Sequence, residues 1–127
     1  MTSPETILIA VGVLVAKHLV ADFLLQTSYQ AANKGRYGHP AGLVHAFNHA
    51  LLTPLVFLVL PPSSAQLGIG IVAAEFVWHY HQDWLKDQIT HALSLTPADT
   101  GFWWGIGIDQ FVHYATYLVM VYVLISW

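Results

Sequence analysis

Long apolar stretches alternate with short polar ones along the chain. Four of them approach or exceed the ~20 residues a helix needs to cross a ~30 Å hydrocarbon core. They predict helices over about 6–26, 41–60, 65–93 and 102–127. Ser3-Pro4-Glu5 is a helix-start signal for the first. It lacks a basic leader and a small-residue cleavage site, so it reads as a retained span and not a signal peptide. Residues 27–40 form a polar connection containing Asn33-Lys34-Gly35-Arg36. Pro54 cannot donate to the carbonyl of Ala50, which predicts a mild kink one turn from His49. Pro61-Pro62-Ser63-Ser64 is a tight turn with a serine as N-cap of the third helix. That helix runs longer than a bilayer requires, so its last turns, Lys86 to His91, are expected in the interface. Trp84, Trp103, Trp104 and Trp127 fall near span ends, where indoles favour the headgroup region.

Composition strengthens the membrane reading. Of the 127 residues, 56% are hydrophobic and 9% charged, against about 25% charged in a soluble domain. The expectation is a single all-α domain, a four-transmembrane-helix bundle. With no cysteine, disulfides and thiolate metal sites are excluded. Four Lys/Arg residues without a basic cluster give no support for nucleic-acid binding. Lys34, Arg36 and Lys86 fall at one end of the bundle, and the termini and the 61–64 turn have no basic residue. The positive-inside rule then puts both termini outside the cytoplasm and the long connection inside it.

Each span also carries a pair of metal-ligand residues four apart: His18/Asp22, His45/His49, His79/Asp83 and Asp109/His113. That spacing places both side chains on one helix face. His and Asp occupy 13 of 127 positions, and random placement at that density gives roughly one such pair. Six occur, counting Asp83/Asp87 and Asp87/His91. At 1.5 Å per residue all four pairs reach similar depth, so they can meet in one His/Asp layer in the cytoplasmic half. Ionisable groups at membrane depth face partners, a cavity or an ion. These eight residues suit one or two divalent ions, with zinc foremost and iron, nickel or manganese as alternatives. The competing reading is a polar network that locks helices together.

Around this layer, Gln26, Asn48 and Gln110 are candidates to hydrogen-bond the ligands. Glu75, one turn deeper than His79, and Lys86, one turn beyond Asp83, are the candidate catalytic groups. Lys86 also reads as an interface residue that snorkels. Lys17 lies ~100° from His18 and is expected to face elsewhere. His39, His81 and His91 share neither face nor depth with the layer.

The runs His18-Leu-Val-Ala-Asp22-Phe23-Leu-Leu-Gln26, His45 with His49, His79-Tyr-His-Gln-Asp83-Trp-Leu-Lys86 and Asp109-Gln110-Phe-Val-His113 resemble a bacterial integral-membrane family catalogued as domain of unknown function 3307. The resemblance spans nearly the whole chain and implies the inner (plasma) membrane; it names no reaction. More distantly, architecture and His/Asp usage are similar to small membrane-bound metal-dependent hydrolases. The leading expectation is therefore a metal-dependent hydrolase that acts on an amphiphilic or lipid-like substrate through metal-activated water. The alternatives are a di-iron oxidase or hydroxylase, and a metal transporter or sensor. Solidly apolar outer segments, such as Leu55–Leu60, argue against transport.

Overall fold

The structure, a computed structural model, describes residues 2–127 and is all-helical over them. Helix α1 spans Pro4–Leu19 and opens with the Ser3 hydroxyl accepting from the Thr6 N–H at 3.2 Å. It continues without a break into π turns over Val20–Leu25, where regular α-helix was expected. Within the 27–40 connection lies a short helix, α2, over Ser28–Asn33. It is fixed by a capping box: Thr27 Oγ1 accepts from the Gln30 N–H at 3.1 Å, and Gln30 Oε1 accepts from the Thr27 N–H at 2.9 Å. Helix α3 spans Pro40–Leu52; His39 is its N-cap, and Nδ1 accepts from the Ala41 N–H.

Pro54 does more than kink this helix. α3 stops at Leu52, and Thr53–Leu58 winds as a 3-10 helix. The Thr53 N–H turns to the carbonyl of Ala50, the group that Pro54 cannot serve. The carbonyl of His49 is thereby left without its usual donor. Helix α4 spans Ala65–Ala92 behind a Ser64 cap, and α5 spans Thr100–Ser126.

The long helices pack in cyclic order, α1 beside α3, α3 beside α4, α4 beside α5, and α5 beside α1. α1 and α4 face each other across the axis. The N-terminal part of α1 meets the 3-10 segment, while its π turns meet α3, so the two run antiparallel. Three helical segments are long and apolar enough to cross a membrane: Pro4–Leu25, Pro40–Leu58 and Thr100–Ser126. α4 has the length, at 28 residues, but its inward Glu75 and His79 and its tail of polar residues lower its mean hydropathy. The outer surface is apolar: Phe23 is 69% exposed and Leu58 84%, with Ile69, Phe111 and Val119 also turned outward. Monomeric soluble proteins rarely leave so much contiguous apolar surface in water.

Inside, the bundle divides along its axis. Towards the termini, Ala10, Leu14, Val56, Leu60, Ile71, Met120, Val121 and Leu124 form an apolar core. Towards the 27–39 connection, the buried side chains include Lys17, His18, His45, His49, Thr53, Glu75, His79, Asp83, Asp109 and His113.

Candidate metal centre

One stripe on each helix supplies both interiors. On α1 the stripe runs Ala10, Leu14, His18; on α4, Ile71, Glu75, His79, Asp83; on α5, Asp109, His113, Tyr117, Val121. Residues four apart share a face, so the packing that buries the apolar half carries the polar residues inward as well.

Two carboxylates organise the cluster. Asp22 Oδ1 lies 2.9 Å from His49 Nε2 and 3.3 Å from His45 Nε2, and its Oδ2 lies 2.9 Å from His18 Nε2. Asp83 Oδ1 lies 3.3 Å from His113 Nε2, and its Oδ2 lies 3.2 Å from His45 Nε2 and 3.6 Å from His79 Nε2. The His79 ring stacks between His49 and His113, with centroids 3.6 and 4.2 Å away.

Two sets of ligand atoms follow. One atom from each of Asp22, His45, His49 and His79 lies within 4.8 Å of the others; so does one from each of His79, Asp83 and His113. His79 belongs to both. Several of these nitrogens are orphans: His45 Nδ1 and Nε2, His49 Nδ1 and His79 Nε2 are buried without a hydrogen bond. His45 Nε2 is close to both carboxylates yet meets neither with hydrogen-bonding geometry. Unsatisfied buried polar atoms are costly and rare in native proteins, and a cation is one thing that would satisfy them.

His18 and Asp109, both expected as ligands, stand outside these sets. His18 Nε2 faces two oxygens, Asp22 Oδ2 and Gln110 Oε1, each at 2.9 Å. Nε2 therefore carries the proton, and Nδ1 accepts from the Tyr117 hydroxyl at 2.9 Å. With both nitrogens engaged, His18 orients Asp22. Asp109 Oδ1 is 3.6 Å from His113 Nε2 and accepts from Gln82 Nε2 at 3.3 Å.

The neighbours divide as well. Gln110 reaches both His18 and Asp22. Gln26 donates to the backbone carbonyl of Asp22 and not to its carboxylate. Asn48 is half-buried and takes no part in the cluster's hydrogen bonds. Lys86 pairs with Asp87 at 2.8 Å, away from Asp83. Glu75 sits below the cluster with both oxygens engaged, Oε1 by Lys17 and Oε2 by the Thr53 hydroxyl.

Lys17 is the clearest correction. Expected to face elsewhere, it is 3% exposed and lies 4.8 Å above the Tyr117 ring. The freed carbonyl of His49 accepts from its ammonium at 3.1 Å. Pro54, in the 3-10 segment that follows α3, thus creates the acceptor that draws a lysine of α1 inward, and Glu75 balances the charge.

Lys34, at the end of α2, is the other residue the spacing pattern did not reveal. Its ammonium lies 2.9 Å from Asp83 Oδ2. Burial disfavours its charge, but the adjoining Asp83 carboxylate outweighs that and holds its pKa above the ordinary lysine value.

Residues 9–127 match the family described as "Protein of unknown function (DUF3307)". No curated protein and no solved structure matches the chain.

Proposed function

The chain belongs to this family, and with that as premise we propose that it is a multi-pass membrane metalloprotein, a hydrolase for an amphiphilic, lipid-like substrate. In this reading α4 is the fourth span, both termini lie outside the cytoplasm, and the His/Asp cluster lies in the cytoplasmic half of the inner membrane. The observation that carries the reading is the set of half-buried Asp22 and buried His45, His49 and His79, with its orphaned imidazole nitrogens. Neutral imidazoles and a carboxylate are the donors zinc takes in catalytic sites. His18, its ring oriented by the Tyr117 hydroxyl, and Gln110 fix the Asp22 carboxylate for that role. A divalent ion held there supplies Lewis acidity and brings the pKa of a bound water towards ~7.

The substrate class rests on access. A groove of about 560 Å³ between α4 and α5 is lined by Trp78, Leu85, Ile89, Trp104 and Ile108 together with Asp109 and Gln82. An acyl or isoprenoid chain fits such walls, with its polar end directed at the cluster. Transport ranks lower, because the interior beyond Lys17 and Glu75 is apolar.

Metal analysis of purified, zinc-reconstituted protein tests the centre. Stoichiometric zinc in the wild type and its loss in His49→Ala are the expected results. Metal-free wild type would remove the proposal. Iron in anaerobically purified protein would redirect it to an oxidase. Metal-loaded protein inert towards amphiphilic esters, amides and phosphoesters would leave a metal site without the hydrolase.

A further inference from the structure

Lys34 comes from the 27–39 connection and from none of the long helices, yet it reaches a carboxylate at the centre of the cluster. The segment carrying it is clamped to α4. Gln88 Nε2 donates to the carbonyl of Gly35 at 2.7 Å, and the Gly38 N–H donates to the Tyr80 hydroxyl at 2.6 Å. Gly35 itself approaches so closely that a Cβ there would stand 2.7 Å from Asp87 Cβ. The ammonium is thus held on Asp83 Oδ2, the oxygen that His45 Nε2 and His79 Nε2 also approach. Asp22 differs: its oxygens meet only imidazoles and the Gln110 amide.

The charge balance points the same way. The polar interior holds four carboxylates, Asp22, Glu75, Asp83 and Asp109, and two ammoniums, Lys17 and Lys34. With neutral imidazoles this leaves two negative charges. One divalent ion cancels them. A second would leave two uncompensated positive charges away from water, which burial strongly disfavours.

Resting on the metal reading above, we infer that the cluster binds one divalent ion, at Asp22, His45, His49 and His79, and that the Lys34 ammonium stands in for a second cation on Asp83. Asp83 and His113, the members of the second set that this ion does not use, are then a latent ion site, closed by a side chain from the connecting loop. Removing that charge opens it.

The experiment is equilibrium dialysis of the full chain in detergent against Co²⁺ or Zn²⁺, with bound metal measured per polypeptide. One ion is expected in the wild type and in Lys34→Arg, and two in Lys34→Met. The Co²⁺ form of Lys34→Met should show the magnetic coupling of two neighbouring ions. In the Lys34 background, Asp22→Asn should lose the ion and Asp83→Asn should retain it, which decides the matter even if Lys34→Met does not fold. Two ions in the wild type would overturn the inference and leave the metal reading standing; none would remove both. A folded Lys34→Met that still binds one ion, or loss of the ion in Asp83→Asn with retention in Asp22→Asn, would also overturn it.

Discussion

The two halves of the bundle interior are built on the same helix faces and held by different forces. Ala10 and Leu14 on α1 pack with Val56, Ile71 and Val121; one turn further along, Lys17 and His18 face Glu75, His79 and Tyr117. In a bilayer, the apolar half gains no hydrophobic free energy by leaving lipid, since acyl chains are as apolar as Leu. Close packing holds it. The polar half is held by directional pairs, each group there because another answers it. A packed half should therefore tolerate loss in proportion to volume, whereas a paired half should fail when one partner is removed and recover when both are.

The sharpest way to break that contrast is Glu75→Leu. It leaves the Lys17 ammonium buried with only the His49 carbonyl and the Tyr117 ring. Breaking a buried pair from one side costs about 3–5 kcal/mol, while replacing both partners with apolar residues is close to neutral. Unfolding in detergent should show a large loss in Glu75→Leu and recovery in Lys17→Met/Glu75→Leu. A double variant as weak as the single would mean that the pair does not account for the loss.

Leu14→Ala probes the other half. Leu14 is fully buried in the apolar core, and a cavity of that kind costs about 2–4 kcal/mol. Bound metal per polypeptide should not change. A fall in metal content beside this substitution would show that the halves are coupled through packing and do not act separately.

The polar half was legible in the sequence to the extent that its signal was periodic. His18/Asp22, His45/His49, His79/Asp83 and Asp109/His113 stand out because paired ligands are rare inside apolar runs, and helix geometry puts each pair on one face. The structure gathers Asp22, His45, His49, His79, Asp83 and His113 into two ligand sets. What spacing could not reveal was which member of a pair is a ligand and which an orienting group. That depends on partners from other helices, such as Tyr117 and Gln110 on His18. Lys17 was hidden for another reason. Its acceptor is a backbone carbonyl released by Pro54 on a different helix, an effect visible only once α1 and α3 are packed. The connection over 27–40 was expected only as a polar loop; the capping box of Thr27 and Gln30 that starts α2 went unread. The reach of Lys34 to Asp83 depends on how that loop folds back on α4.

Tyr117 sits on the boundary, and the smallest predicted effect belongs to it. Its ring packs in the apolar core while its hydroxyl donates to His18 Nδ1. Tyr117→Phe keeps the packing and removes one hydrogen bond, so it should cost only about 1 kcal/mol of stability. The metal should register it more strongly. Without the hydroxyl, His18 Nδ1 is a buried acceptor with no donor, and the ring loses the contact that aims Nε2 at Asp22 Oδ2, 2.9 Å away. The carboxylate then loses its fixed position. Loss of an orienting partner of this kind typically weakens metal affinity about 10–100-fold. Competition with a zinc chelator should therefore separate Tyr117→Phe from the wild type by at least tenfold while their unfolding curves nearly coincide. If stability fell by about 2–4 kcal/mol, as expected for Leu14→Ala, while metal affinity held, Tyr117 would belong to the packed half alone.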